Sequence, residues 1–480
     1  MVSWLGRMFS ILPGGYDAAD DRGRRRSPVT VTYSEDTIAT QRVRRILQAS
    51  AQDLARNFAI ARWAIQKHLD YVTSFSFQAK TDDVAFNREL EAFIEFRSTP
   101  GQFDVAGRHA MRRAIRLAEA TRVVGGDCLL VKILKPGPTG IAAQRIQFVE
   151  PDRVRNPDEW TPSDPTWVNG VQINNDGGTL AYGIHNRIGS NFTFARKIPA
   201  RNAFLHAWYD RFDQVRGISP IAAALNWFRD VYEGFEYTLA RTKIEQLFGL
   251  QIYRNASESF APVTAQDSNG SEETDSDAQP AGYSIDFQKG PFLLDMDAGD
   301  KAEVLNGGNP AGSTVDFLKL MIHVALRSLD IPYSFFDESF TNFYGSRGGL
   351  IQYLKSCENK IGDIQECLNW WTNWVIGMAV ADGTIRLPAG MNYEDIYYEH
   401  VPAGVPWWDP AKEARGQAMG VAMGVTSPQR VCRELGTDFE TNIDEIAKAM
   451  AYAKERGVDL KYADSSAFAP EVSVQGTANG

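Results

Sequence analysis

The sequence predicts a mainly helical α+β protein, and two observations support this fold class. Apolar residues recur at steps of three and four over long stretches in both halves of the chain, which is the spacing of amphipathic helices. Between residues 126 and 210, short apolar runs instead alternate with turn residues, which predicts strands. With 480 residues, the chain is long enough for about three domains or for one elongated subunit of several parts.

The apolar stripes predict a series of long helices. Ser219 and Pro220 suit the start of one of them, as the N-cap and the first helical residue. The clearest helix has an apolar seam of about four heptads and ends before Asp382 and Gly383. Shorter helical segments are expected after residue 410. The long helices cover residues 40–73, 105–120, 219–248, 313–329 and 350–381.

Strand signals and one acidic segment lie between these helices. Residues 255–281 contain acidic side chains but no Lys or Arg and are rich in Ser, Asn and Gln. This composition cannot offset the entropy lost on ordering, so we expect a mobile loop there. Strands are predicted at residues 128–134, 146–149, 170–173, 203–206, 283–287 and 301–305.

The overall composition excludes several classes of protein. The net charge of -10 argues against a surface that grips phosphate everywhere, although a protein that surrounds DNA without adhering to it stays possible. The four cysteines form no Cys-x-x-Cys pair, so we expect neither a disulfide framework nor a thiolate zinc site. The longest apolar runs are too short for a transmembrane helix.

The N-terminal residues are expected to make contacts rather than to fold. Residues 1–13 are apolar but interrupted by Arg7, which fits an amphipathic contact peptide better than a signal peptide. The basic cluster at residues 22–26 is typical of a solvated tail, and an arm that binds nucleic acid or a partner is the alternative.

The sequence offers no convincing catalytic or metal site. Residues 307–314 have the glycine spacing of a phosphate loop but lack its lysine. Residues 295–306 resemble a calcium loop, but Asn306 stands where a glutamate is required. The histidines show no metal-ligand spacing. We therefore predict no catalytic residue, no metal and no cofactor.

Four segments, met in order along the chain, form a recognisable pattern. One of them starts at His206 and continues as Gln-x-Arg-Gly-x-Ser at residues 214–219. The others lie at residues 53–65, 126–153 and 327–347. In this order, over roughly residues 40–400, they resemble the portal proteins of lambda-type tailed bacteriophages. The motif residues, for which we expect structural roles, are Arg56, Asn57, His206, Gln214, Arg216, Gly217, Ser219 and Pro332.

The resemblance implies a structural protein that is not an enzyme. Such subunits form a ring, usually a dodecamer, at one vertex of the capsid, and double-stranded DNA passes through its channel during packaging and ejection. The implied location is the virion, after assembly in the host cytoplasm. The implied partners are other copies of the chain, double-stranded DNA, the terminase large subunit, the major capsid or scaffolding protein, and head–tail adaptor proteins, with no membrane.

The resemblance also implies an elongated subunit with parts called wing, stem, clip and crown. We assign these parts by their order along the chain. They are a flexible arm at 1–36, the wing at 37–218, the first stem helix at 219–249, the clip at 250–310, the second stem helix at 311–330, a tunnel loop at 331–347, the long wing helix with its following strand at 348–400, and a helical crown at 401–480.

The tunnel loop supplies the candidate DNA-facing residues, which are Asn342, Phe343, Tyr344 and Arg347. Twelve helices of about 10 Å diameter, set side by side, enclose a bore of roughly 28 Å, which admits a duplex with a layer of water. An acid excess along such a channel lets DNA slide, because tight phosphate contacts retard movement. The alternatives are another structural virion protein, such as a capsid or head-completion protein, and then an enzyme with an unrecognised site.

Overall fold

A computed structural model gives the fold of most of the chain. Its described residues divide into two compact units, one within Met1–Asp230 and Leu320–Gly480 and the other within Val231–Lys319. The fold mixes helices with antiparallel strands and is mainly helical, which confirms the predicted class. The described residues are 16, 32–136, 142–161, 164, 166–247, 250–253, 301–304, 312–340, 342–405 and 409–460.

The helices follow the predicted stripes, with differences at their ends. The stripe at 40–73 is split, because Phe58 has an extended backbone with φ -111° and ψ 112°. The helices are α1 (Glu35–Ile38), α2 (Gln41–Asn57), α3 (Ala59–Val72), α4 (Val84–Arg97), α5 (Pro100–Phe103), α6 (Met111–Gly125), α7 (Leu225–Leu247), α8 (Gly312–Leu326), α9 (Phe343–Ala381), α10 (Pro410–Ala422), α11 (Pro428–Glu434) and α12 (Phe439–Glu455).

The start of α6 differs from the prediction for a local reason. The carboxylate of Asp104 accepts hydrogen bonds from the backbone N–H groups of Ala106, Arg108 and His109, at 3.0 to 3.3 Å. These bonds hold residues 104–109 in a loop, so the helix begins at Met111 rather than at residue 105.

The strands form small antiparallel sheets. The strands are β1 (Phe75–Ala79), β2 (Asp127–Pro136), β3 (Ala142–Val149), β4 (Trp167–Val168), β5 (Val171–Ile173), β6 (Thr179–Ile188), β7 (Asn191–Pro199), β8 (Ala203–Ala207), β9 (Leu250–Tyr253), β10 (Lys301–Val304) and β11 (Tyr398–Pro402). One sheet has the order β3-β2-β8 and another the order β4-β5-β6-β7, while β1 pairs with β11 and β9 pairs with β10.

The alternation of side chains along β2 explains how the first unit is layered. Leu129 and Val131 point to one face and pack with Val171 and Ile184 of the four-stranded sheet. Lys132 points to the other face, where its ammonium group lies 4.4 Å from the ring centroid of Trp370 on α9. The three-stranded sheet therefore packs between the four-stranded sheet and the long helix α9.

Helix α9 begins earlier than the sequence analysis places it. Asn342 is its N-cap, and the side-chain oxygen accepts the backbone N–H of Gly345 at 2.8 Å. Residues 343–347, assigned above to the tunnel loop, therefore form the first turn of this helix. The predicted end is confirmed, because the helix stops at Ala381 and Gly383 takes a positive φ of 75°.

Helix α7 also starts differently from the prediction. Pro220–Ala224 form a 3-10 turn before the α-helix begins at Leu225. Ser219 occupies the N-cap position, but its hydroxyl donates to the backbone oxygen of Val123 at 2.6 Å and does not cap the turn. This bond ties the start of the helix to α6.

In the second unit, α7 and α8 approach closely at Gly234, where a Cβ atom would lie 2.7 Å from Leu318. The predicted strand at 301–305 is confirmed as β10, which pairs antiparallel with β9. Several other predictions concern residues outside the described ranges. These are the contact peptide 1–13, the basic cluster at 22–26, the acidic loop 255–281, the strand 283–287, the calcium-like loop at 295–300 and the glycines at 307–311.

Candidate functional site

A buried cluster of charges surrounds the motif residue Arg216. Its Nε and Nη2 atoms donate to the two oxygens of Asp127, both at 2.7 Å, in a bidentate ion pair. Its remaining N–H groups donate to backbone oxygens, including those of Pro151 and Val154 at 3.0 Å. Arg44 of α2 donates to the same Asp127 carboxylate at 3.0 Å. One carboxylate thus joins α2, β2 and the motif loop.

Burial and neighbouring charges shift the pKa values of Arg44 and Arg216. Burial, with the positive charge of Arg216, lowers the pKa of Arg44 to about 10. Burial alone would lower the pKa of Arg216 as well, but Asp127 outweighs it and the net direction is upward. Both groups therefore stay positively charged at neutral pH, and Asp127 is what holds them together.

Two glycines make this arrangement sterically possible. A Cβ atom on Gly217 would lie 2.0 Å from the backbone oxygen of Gly126 and 2.7 Å from the backbone nitrogen of Trp208. Gly126 itself has a positive φ of 94°. Because the neighbouring atoms belong to the backbone, they cannot move aside, so the motif requires glycine at residue 217.

The motif residue Gln214 closes the loop at residues 208–216. Its side-chain nitrogen donates to the backbone oxygens of Trp208 at 3.0 Å and Arg216 at 2.9 Å. Its side-chain oxygen accepts the backbone N–H of Asp210 at 2.9 Å. A single buried amide thus satisfies three backbone groups and fixes the loop.

A second buried cluster is built on Glu119 of α6. The motif residue His206 and His68 of α3 each place Nε2 at 2.7 Å from one of its oxygens. Arg122 completes the cluster, with Nε at 2.7 Å from Glu119. An ionised carboxylate can only accept, so both histidines donate through Nε2.

Opposing effects set the protonation of this cluster. Burial alone would raise the pKa of Glu119, but Arg122 and the two histidines hold it well below its usual value. Burial lowers the pKa of His68 and of His206, which outweighs the effect of Glu119 on each ring. The histidines are therefore neutral at pH 7, and the buried charges of the cluster are Glu119 and Arg122, whose Nη1 also donates to Asp363 at 2.6 Å.

Three motif residues lie apart from these clusters. Arg56 and Asn57 are exposed at the end of α2, where the Asn57 amide donates to Asp53 at 2.7 Å. Pro332 lies two residues after Asp330, which ends a 3-10 turn in the left-handed conformation at φ 62°.

The four candidate tunnel residues lie together at the start of α9. Phe343 and Tyr344 are exposed, and their ring centroids are 5.6 Å apart, edge to face. Arg347 is an ion-pair partner of Glu413 on α10, at 3.2 Å. Asn342, Phe343 and Tyr344 are therefore exposed at the surface, and Arg347 is held by an ion pair within the chain.

Aromatic packing fixes the segment that leads to these residues. Phe335 stacks on Tyr71 of α3 at 5.8 Å between centroids and meets Tyr353 of α9 edge to face at 5.4 Å. Phe336 packs edge to face on Trp63 at 5.8 Å. The segment is thus anchored to two helices before it reaches Asn342.

Metal sites and membrane-spanning helices are both absent from the described residues. Within the described ranges, His, Cys, Asp and Glu side chains form no group of three or more that could hold a metal ion. Of the helices that the structure describes, none combines the length and hydropathy needed to cross a membrane.

Several residues of the clusters were not identified from the sequence. Arg44 lies beside Val43 and Leu47 on the buried side of α2, and Glu119 and Arg122 lie on the buried side of α6. A charge on the apolar side of a predicted helix was the available signal, since such charges need a buried partner.

The comparisons with known proteins agree with the motif pattern. A family model described as phage portal protein, lambda family, matches residues 22–359, which is more than two thirds of the chain. Among curated proteins, none has a sequence that matches this one.

Solved structures of gene transfer agent (GTA) particles are similar at low sequence identity. A chain from the neck of an empty particle computed with C6 symmetry is 13% identical, with 81% of this chain and 94% of that chain covered and a TM-score of 0.48. One from the virion of a native particle is 12% identical, with 81% and 93% covered and a TM-score of 0.44. Because the family match spans most of the sequence, the chain belongs to the lambda family of phage portal proteins.

Proposed function

We propose that copies of this portal protein close into a ring at one vertex of the capsid and that double-stranded DNA passes through its centre. The family match over residues 22–359 is the observation that carries this proposal. Twelve copies is the number that the family resemblance implies. The protein then acts as a conduit and docking platform and catalyses no reaction.

The apolar stripe of α7 supports a subunit interface. In its first part the stripe is core, because Leu225 and Phe228 are buried. Farther along the same stripe, Phe235 and Leu239 are 44% and 55% exposed in the single chain. An apolar stripe that is buried at the start of a helix and exposed farther along is typical of a helix that packs on another copy.

Helix α8 also exposes apolar side chains, on a different side from its buried stripe. Leu318 and Ile322 are buried, as the predicted stripe requires. Phe317, Leu320 and Val324 follow one another at helical spacing on another side and are exposed. We infer that neighbouring copies cover both uncovered stripes when the ring closes.

Replacing Leu239 with aspartate is expected to prevent ring assembly while leaving the single chain folded. A carboxylate at this exposed position is hydrated in the single chain but loses its water in the interface, which costs several kcal/mol per contact. Mass photometry of the purified protein should find rings for the wild type and single chains for Leu239→Asp. Tyr237→Asp, which places the same charge on the opposite side of the helix at a side chain that is 71% exposed, is a control for negative charge alone. Rings of Leu239→Asp at the wild-type concentration would exclude this interface.

The exposed residues at the start of α9 are proposed to face the DNA. Replacing Tyr344 with alanine is expected to reduce DNA packaging several-fold without changing ring assembly, because the side chain is 76% exposed and supports no core. Packaged DNA per particle, measured by nuclease protection, is the readout. Tyr397→Ala, which removes another exposed tyrosine, is the control. Loss of rings in Tyr344→Ala would instead assign a structural role to this residue.

The remaining partners follow from the same assignment. The terminase large subunit and later the head–tail adaptor proteins are proposed to dock on one side of the ring, and the capsid or scaffolding protein to surround it. The protein is proposed to assemble in the host cytoplasm and to reside in the virion at the portal vertex.

A further inference from the structure

A rigid loop presents one phenylalanine entirely to solvent. Phe212 lies at the tip of the loop 208–216 and is completely exposed. The loop is held by the three hydrogen bonds of Gln214. It is also tied to the segment before α1, because Arg211 donates to the backbone oxygen of Tyr33 at 3.0 Å. An exposed aromatic ring on an ordered loop is typical of an anchor that inserts into a partner.

A groove along α6 has the size and lining to receive such a ring. Its volume is about 650 Å³, within the usual range of roughly 300–1,000 Å³ for binding pockets. Leu117 lines it and is 44% exposed, although it is a large apolar residue. Val105, Val124 and Phe148 supply further apolar lining.

The charges around the two features are complementary. Arg108 and Arg153 line the groove, and in the described part of the chain neither forms an ion pair with a carboxylate. The two acids of the groove are already engaged, since Asp104 accepts backbone N–H groups and Glu150 pairs with Arg187 at 3.3 Å. Beside Phe212, the exposed side chain of Asp210 likewise has no cationic partner among the described residues.

We propose that Phe212 of one copy inserts into the α6 groove of the next copy in the ring, with Asp210 of the first near Arg108 of the second. The inference rests on the proposed ring. A ring of identical subunits closes only when each copy offers two unlike and complementary surfaces. The groove and the loop share no residue, so one copy engages a neighbour on each side.

Two variants with single changes test the contact. Phe212→Ala removes the anchor, and Leu117→Glu places a carboxylate in the groove that repels Asp210. Both residues are exposed, so thermal unfolding of the single chain should stay unchanged. Each variant should raise the concentration needed for ring assembly by about 30-fold or more, as the loss of an aromatic anchor does. Phe96→Ala, which removes another exposed phenylalanine, should assemble like the wild type.

A mixture of the two variants gives the sharper result. Leu117→Glu retains the anchor and Phe212→Ala retains the groove, so one intact contact forms between them and the ring does not close at the wild-type assembly concentration. At that concentration, mass photometry should therefore find dimers in the mixture and single chains in each variant alone. Rings in either variant at the wild-type concentration, or single chains only in the mixture, would overturn this contact while the wild-type ring still stands. A wild type that never assembles overturns both proposals.

Discussion

Replacing Asp127 with asparagine is expected to lower the free energy of unfolding by about 3–5 kcal/mol, because it leaves two buried guanidinium groups without a counter-charge. Asp127 is completely buried, and Arg216 and Arg44 both bond to its carboxylate. Asparagine keeps the shape of the side chain, so the decrease in the free energy of unfolding measures the effect of the charge and not of the packing. Urea unfolding followed by tryptophan fluorescence, at one protein concentration for all variants, measures it.

An exposed carboxylate provides the matched control. Asp70 pairs with Arg116 at 2.8 Å but stays half exposed, so Asp70→Asn should cost less than about 1 kcal/mol. Equal decreases in the free energy of unfolding for the two variants would show that the Asp127 cluster does not hold the motif loop in place.

Replacing Gly217 with alanine is expected to cost about 3 kcal/mol or more, at the upper end of the range for overpacking. The new methyl group meets backbone atoms of Gly126 and Trp208, and neither can rotate away. The methyl group fits only if the loop moves away from β2. This movement also strains the hydrogen bond from Arg44 to the Gly217 oxygen, which is 2.6 Å long. The same urea experiment measures the loss.

Gly101 serves as the matched glycine, because a Cβ atom there has no neighbour within 4 Å. Gly101→Ala should change the stability by less than about 1 kcal/mol and in the stabilising direction. If Gly217→Ala were as stable as Gly101→Ala, the backbone at residue 217 would not lie as close to Gly126 and Trp208 as described here.

Local patterns predicted those parts of the fold that depend on neighbours in sequence. The seam of α9 is an example, since Leu350, Ile364 and Trp371 are buried as their spacing requires. The strand β2 was likewise evident from its continuous apolar run. Helix α4 is absent from the predicted helices, although Phe86, Leu90 and Ile94 form a buried stripe there.

The clusters could not be derived in the same way, because their members are far apart along the chain. Asp127 meets Arg44 from 83 residues away and Arg216 from 89 residues away. Glu119 meets His206 across 87 residues. The family resemblance includes His206, Arg216 and Asp127, but it does not say that Asp127 and Arg216 pair, and only the tertiary structure supplies Glu119 and the Arg44 contact.

The start of α9 shows how one side chain decides a boundary. The apolar seam begins at Leu350, and the family resemblance assigns residues 331–347 to a loop, so the predicted helix starts after residue 347. The Asn342 cap instead starts the helix at Phe343, although Gly348 and Gly349 disfavour a helix there. As a result, the candidate tunnel residues lie on a helix end that is anchored by aromatic packing.

Electron microscopy of the purified wild-type chain tests the central claim most directly. The account predicts class averages, viewed down the symmetry axis, of a closed ring with an open centre of roughly 28 Å, wide enough for duplex DNA. Single chains under all assembly conditions, or closed particles without a central opening, would contradict it.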